Sequence, residues 1–284
     1  MDAPIVVGFD GSRTAGSALA WAADDARRRD LPLRVVHVHE PWAAEHAFGV
    51  SASRRTSTEE CHRMLADAAE RARELAPRTE VSTAVVTGAV VERLRTESET
   101  ADTVVVGSRG HGGFAGLVLG SVGLGLTGSA QSPVVVVRTP PRVPVGEIVV
   151  GYDGSPCADL AVEYALIQAR AREARVRVLH GRRYPVMAPH PVGFGPLPLD
   201  DTAEVRQRLL IWREKATDVE MVEQIVDLHP VPALAAASRT ADLAVVGSRG
   251  LGAFNSTMLG SVSHGILHRA HCPVAVVSAL RTAP

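Results

Sequence analysis

The chain has 284 residues and a formal net charge of −1, with 46% hydrophobic but only 4% aromatic residues. This length suits roughly two domains of about 100–200 residues, with cores of Val, Leu, Ile and Ala, and excludes a disordered chain. Of the 30 basic residues only Lys215 is a lysine, and it stands in IWREKAT with no glycine nearby, so a lysine-bearing phosphate loop is excluded and a lysine Schiff base would have to use this one residue.

In chain order, residues 5–9 form a short β-branched apolar run. Ser12 then caps a helix carrying Ala15, Ala18, Leu19, Ala22 and Ala26 on one stripe. Residues 33–38 are a second strand, followed by a long connection, 40–57, with Pro, Gly and Ser. Ser57 and Glu60 make a capping-box pattern. It opens a helix to about Ala76, with Cys61, Met64, Leu65, Ala68, Ala72 and Leu75 on one face. A third strand at 81–86, a short helix at 90–99 and a fourth strand at 103–106 follow. A glycine-rich loop then leads to a helix from about Ser121 and a fifth strand at 134–137.

The second half repeats the first. IVVGFDGS at 5–12 returns as IVVGYDGS at 148–155, and TVVVGSRGHGGF at 103–114 as LAVVGSRGLGAF at 243–254. LGSV at 119–122 returns at 259–262, and SPVVVV at 132–137 as CPVAVV at 272–277. The repeated unit is therefore about 140 residues, too long for a solenoid and right for a domain. In the second copy Ser155 supplies the helix cap and Pro156 the first helical position. The long connection after strand two is the Pro-rich stretch 184–200. Connections of that length in compact domains are usually functional or mobile. Apolar strands alternating with helices imply an α/β fold with a parallel sheet covered on both faces.

Composition also bears on partners. The basic runs Arg27-Arg28-Arg29 and Arg182-Arg183 are short and the charge is balanced, so a nucleic-acid partner is not expected. No apolar run reaches the ~20 residues of a membrane span. The opening MDAPIVVGFDGS lacks the n- and h-regions of a signal peptide. Three well-separated cysteines, Cys61, Cys157 and Cys272, suggest a reducing compartment without a disulfide framework. A cytoplasmic location is expected.

Ligands of such sheets bind beyond the carboxyl ends of the strands, at the switch point of the topology. Two elements of each copy point there. One is the strand-one end, with Gly8, Asp10 and Ser12 in the first copy and Gly151, Asp153 and Ser155 in the second. The other is the loop after strand four: Gly107-Ser108-Arg109-Gly110, nine residues, then Gly120-Ser121. The second copy repeats it as Gly247-Ser248-Arg249-Gly250, nine residues, then Gly260-Ser261. Glycines let backbone amides approach phosphate oxygens, and a helix starting at Ser121 or Ser261 aims its dipole at them. Arg109 and Arg249 offer charge in place of a lysine.

This doubled pattern resembles the ATP-binding branch of the universal stress protein family, over essentially the whole chain. The resemblance implies two tandem Rossmann-like domains of the adenine nucleotide alpha hydrolase-like type, each a five-stranded parallel sheet with helices on both faces. The expected division is 1–139, a Pro-rich linker at 140–147, and 148–284. It further implies that Asp10 and Asp153 face the adenosine end, and that Val38 presents backbone to adenine. Ribose and phosphates would lie on the loop and helix start: Gly107, Ser108, Arg109, Gly110, Gly113, Gly120, Ser121 and Val122. In the second copy the counterparts are Gly247, Ser248, Arg249, Gly250, Gly260, Ser261, Val262 and Ser263, with Gly181 where Val38 stands. The implied ligand is ATP, with Mg²⁺ as an option at the two aspartates. The implied role is a nucleotide-responsive sensor or regulator of stress survival, with protein partners, the two copies packed through their last strands, and homodimers.

Two alternatives stay open: a weak ATPase or self-phosphorylating enzyme, and an interaction protein whose pockets take AMP, cyclic AMP or nothing. No G-x-S-x-G elbow or H-E-x-x-H motif identifies a catalytic group, so no catalytic residue is assigned. The copies differ at Gly123 and Ser263, and Gly123, Gly125 and Gly128 predict a softer helix in the first copy, at about 1 kcal/mol per glycine. Unequal affinities are expected. Several features have plainer readings. The aspartates can serve as turn formers, the loop glycines as turn residues, the arginines as solvated surface. His37 and His180 read as satisfied histidines, Cys157 as structural, and His264, His268, His271 and Cys272 as a polar helix face rather than a metal cluster. No metal site is assigned.

Overall fold

The computed structural model describes residues 2–40, 58–110, 119–138, 143–181, 202–250 and 259–279. The long connections 41–57 and 182–200, the Ser57 cap, residues 139–142 of the proline-rich join and Gly113 lie outside them. The described chain divides into two compact units, Met1–Val143 with Pro273–Pro284, and Pro144–Cys272.

The first unit runs β1 (Ile5–Gly8), α1 (Arg13–Arg29), β2 (Leu33–His39), α2 (Thr58–Leu75), β3 (Val81–Thr87), α3 (Val90–Glu97), β4 (Thr103–Gly107), α4 (Ser121–Ser129) and β5 (Val134–Val137). Each element lies within two residues of its expected bounds. Ser12 caps α1 as its sequence position requires, its hydroxyl accepting the Ala15 amide at 3.2 Å. The helix stops at Asp30, which takes the left-handed conformation and donates its amide to Ala26 O. The expected stripe of Ala15, Ala18, Leu19, Ala22 and Ala26 is buried. In α2, Cys61, Leu65, Ala68, Ala69 and Ala72 are buried, while Met64 and Leu75 are only half-buried.

The five strands are mutually parallel in the order β3-β2-β1-β4-β5. Crossovers through α1 and α2 run one way along the sheet and that through α3 runs back. Right-handed crossovers therefore place α1 and α2 on one face and α3 on the other. β1 is flanked by β2 and β4, so the connections after β1 and β4 leave in opposite directions, which opens a crevice at their carboxyl ends.

The second unit repeats the layout as β6 (Glu147–Gly151), α5 (Pro156–Arg172), β7 (Arg175–Gly181), α6 (Thr202–Lys215), β8 (Met221–Val226), α7 (Pro230–Ala237), β9 (Leu243–Gly247) and α8 (Ser261–Arg269). Its strand order is β9-β6-β7-β8, all parallel. The entry to β6 is held by Asp242, whose carboxylate accepts the amides of Val145 and Gly146, each at 2.8 Å.

One strand departs from the plain repeat. β10 (Val274–Val277), fifth in the second copy by sequence, clusters with the first unit. It pairs antiparallel with β5, Val274 against Val136 and Val276 against Val134. Four apolar residues from each strand, VAVV against VVVV, are buried, and such a ladder satisfies their backbone groups out of water. The first unit thus carries six strands, five parallel and one reversed.

Candidate functional site

Each copy builds the same crevice from the ends of strands one and four. In the first, the Asp10 carboxylate accepts the Ser12 amide at 2.9 Å, so the aspartate shapes the turn into α1. In the second, Asp153 accepts the Ser155 amide at 3.1 Å. The turn reading of these residues is therefore correct as far as it goes, but it uses only one carboxylate oxygen. The other, Oδ2, meets the strand-four loop. A Cβ on Gly110 would lie 2.5 Å from Asp10 Oδ2, and one on Gly250 would lie 2.2 Å from Asp153 Oδ2. Only glycine lets the two segments approach that closely.

The strand ends are equally tight. A Cβ on Gly107 would stand 2.8 Å from the Thr14 carbonyl carbon, and one on Gly247 the same distance from that of Cys157. β4 and β9 thus run directly beneath the first turns of α1 and α5. The Arg109 carbonyl accepts hydrogen bonds from the Thr14 and Ser12 hydroxyls, and the Arg249 carbonyl accepts one from Ser155 at 3.5 Å. Both loops are closed at the neck. Gly120 N donates to Ser108 O, and Gly260 N to Ser248 O, each at 2.7 Å. No side chain caps α4 or α8. Their first amides, which have no partner within the helix, face the loop end.

Beside each neck sits a buried serine. Ser108 and Ser248 are 1% and 2% exposed, and their hydroxyls have no hydrogen-bond partner among the described residues. A buried hydroxyl left unmatched costs about 1–3 kcal/mol, and here the same position is unmatched in both copies. Arg109 is exposed and Arg249 half-buried. Arg138, directly after β5, is a neighbour the sequence did not flag. Burial lowers its guanidinium pKa, and the nearby Arg109 charge lowers it further. Position 278, the counterpart in the second copy, is serine.

Not every expected residue faces the crevice in the same way. The Cα of Gly8 looks onto Leu94, whose Cδ1 would lie 3.0 Å from an added Cβ, and Gly151 looks onto Leu234 at 2.9 Å. Helix packing alone therefore accounts for these two glycines. Val38 lies next to the end of β2, half-buried, paired with Val86. At Gly181 an added Cβ would meet Leu228 O at 2.8 Å and Pro230 N at 2.9 Å. The backbone entering α7 fills the place that a valine side chain would need, so the change from Val38 to Gly181 has a steric cause. Ser263 is buried and donates to Gly247 O at 2.5 Å, bracing the β9 end. Gly123 leaves the first copy without that brace. Ser121 and Ser261 are exposed, with Val122 and Val262 half-buried behind them.

A model of the universal stress protein family matches residues 2–138 and again 145–278. Universal stress protein Rv1996 of Mycobacterium tuberculosis is 34% identical over 96% of this chain and 94% of its own length. Universal stress protein Rv2005c of the same species is 32% identical over 96% of both. The chain is a tandem member of the universal stress protein family. Among solved structures, a universal stress protein from Archaeoglobus fulgidus superposes with a TM-score of 0.74 over 98% of both chains, at 21% identity, a likeness of fold.

Within this universal stress protein frame, the histidines at the ends of the second strands are accounted for. His37 Nδ1 lies 2.8 Å from Phe9 O and His180 Nδ1 2.8 Å from Tyr152 O. Each ring thus clamps strand two to strand one, the satisfied role expected of them. Cys157 is buried beneath the β9 end. The rings of His264 and His268 tilt together at a centroid distance of 4.8 Å. Among the described residues, ligand-like clustering of His, Cys and acidic groups falls elsewhere, at His37, His39 and Cys61. That trio lacks a motif in the sequence because its members are separated by the long connection. A His-x-His pair at strand period two was its one legible signal.

Proposed function

We propose that each unit binds an adenine nucleotide, ATP by its motif, in the crevice between the ends of strands one and four. The chain would act as a nucleotide-responsive regulator in stress survival. The observation that supports this most is the twice-built cradle. In each copy a glycine backbone closes on an aspartate oxygen, the loop neck is pinned, helix amides are uncapped, and a buried serine hydroxyl is unmatched. These groups fit a nucleotide. Phosphate oxygens accept from the amides at the starts of α4 and α8 and from Ser108 and Ser248. The Asp10 and Asp153 Oδ2 atoms, which face the loop glycines, can accept ribose hydroxyls or hold Mg²⁺. Arg109 with Arg138 supplies charge to the first site where a lysine is missing. On this reading the protein acts in the cytoplasm with protein partners and as a homodimer. Among the described residues no helix is long and apolar enough to cross a membrane.

The test is direct. Ligand released from freshly purified protein is identified by mass spectrometry, and the emptied protein is titrated with Mg-ATP. Two sites per chain are expected, and ligand at a hundred times Kd should stabilise the occupied unit by about 2.7 kcal/mol. Gly260→Val should remove one site and leave the other. No released adenine nucleotide together with no thermal shift sinks the proposal. Turnover of ATP that disappears in Asp10→Ala/Asp153→Ala, with folding intact, would replace the regulator by an ATPase.

A further inference from the structure

The carboxyl end of β2 meets the first turn of α2 at a cluster outside the glycine loop. A ligand nitrogen of His37, one of His39 and Cys61 Sγ all lie within 4.8 Å of one another. Three features make this more than a coincidence of packing. His37 and His39, two residues apart on one strand, share a face. That face looks to α2, where Cys61 is fully buried. The Phe9 carbonyl can only accept, so His37 Nδ1 carries the ring proton and Nε2 keeps its lone pair. A backbone carbonyl fixing the tautomer in this way is the usual outer support of a metal-bound imidazole. The second copy is an internal comparison. His180 keeps the same clamp to Tyr152 O, which shows that the clamp alone does not require a metal. Positions 182 and 201, the counterparts of His39 and Cys61 by repeat spacing, are Arg and Asp. The soft ligand and the second imidazole belong to the first copy only.

We propose that His37, His39 and Cys61 form a binding site for one zinc-class divalent ion in the first unit. Two imidazoles and a thiolate suit Zn²⁺ and, as a spectroscopic stand-in, Co²⁺, while hard cations such as Mg²⁺ prefer oxygen. On binding, the Cys61 S–H bond is exchanged for an S–metal bond and the proton leaves to solvent. With three protein ligands, a fourth position is open to water. Bond lengths of about 2.0–2.3 Å set ligand atoms about 3.4–3.6 Å apart in a tetrahedral site. The cluster therefore has to tighten by about 1 Å, a shift within reach of the half-buried His39 side chain. The site does not depend on the nucleotide reading. It sits on α2 and β2, not on the β4 loop.

The experiment is a titration of the metal-free, full-length chain with Co²⁺ and then Zn²⁺. One equivalent of Co²⁺ should bind with tetrahedral ligand-field bands and a thiolate-to-cobalt charge-transfer band, and one equivalent of Zn²⁺ should bleach both. Cys61→Ala should abolish the charge-transfer band, and His39→Gln should weaken binding at least tenfold. Cys272→Ala should leave spectrum and stoichiometry unchanged. His39→Gln keeps the test decisive if Cys61→Ala does not fold. Absence of stoichiometric binding, a charge-transfer band that survives Cys61→Ala, or loss of that band in Cys272→Ala would overturn the proposal.

Discussion

At the scale of single residues, the two copies are most informative where they disagree. Ser263 sends its hydroxyl to Gly247 O, and the first copy has Gly123 in that place. Substituting Gly123→Ser should let the new hydroxyl reach Gly107 O while removing a helical glycine. An added Cβ there meets Leu119 Cδ1 at 3.3 Å and Val136 Cγ2 at 3.7 Å, and the first is the end of a flexible side chain. The expected gain is about 1 kcal/mol, from helix propensity and one buried hydrogen bond. A rise in the urea midpoint of the first unit at unchanged slope checks it. A fall would show that Leu119 cannot give way. Residue-level chemistry of this kind was legible in part. The doubled Gly-Ser-Arg-Gly loops drew attention to Ser108 and Ser248, but nothing in the sequence distinguishes a buried, unmatched hydroxyl from a solvated one. Arg138 was likewise invisible, because its closeness to Arg109 depends on β5 lying beside β4.

Among the elements, the short helices α4 and α8 show where propensity misleads. The glycines of α4 predict a soft helix, and one of them, Gly125, recurs at the same place in α8 as Gly265. The structure supplies the reason. A Cβ on Gly125 would stand 3.0 Å from Val91 Cγ2, and one on Gly265 would stand 2.7 Å from Val231 Cγ2. The glycines let α4 close on α3 and α8 on α7. Helix propensity alone predicts that Gly265→Ala stabilises by about 1 kcal/mol. Packing predicts the opposite, a loss of about 1–3 kcal/mol from overfilling. Denaturation of Gly265→Ala decides the sign, and adding Val231→Ala should recover much of the loss if the clash is the cause. Element order and type were almost wholly readable from apolar runs, caps and the repeat. Boundaries came within two residues because Ser12, Ser155-Pro156 and the strand-end glycines punctuate them. The reason for Gly181 in place of Val38 was not legible, since only the fold brings Leu228 and Pro230 to its Cα.

For the whole molecule, the repeat arithmetic foretold two units of one kind, and the family match at 2–138 and 145–278 agrees with it. The repeat alone does not pair β10 with any strand, whereas the family resemblance implies that the last strands meet. Sequence spacing allots β10 to the second copy, and it pairs with β5 and clusters with the first unit. Pairing partners of short valine runs are set by edges and twist, which leave no trace in composition. Removing residues 273–284 should therefore injure the unit far from it in sequence. The truncated chain is expected to expose the β5 edge and to associate or precipitate, with the loss of protection in hydrogen exchange concentrated at Val134–Val137. Full protection there, with a monomeric product, would contradict the assignment.

The same strand also carries a consequence for biosynthesis. β5 leaves the ribosome about 140 residues before β10, which at roughly 5–20 residues per second is an interval of about 7–28 s. For that time the first unit, otherwise ready to fold, presents four valines with an unpaired edge to solvent. The nascent chain therefore offers a binding site for chaperones, or for a neighbouring nascent copy on the same message, which closes only when the last strand arrives.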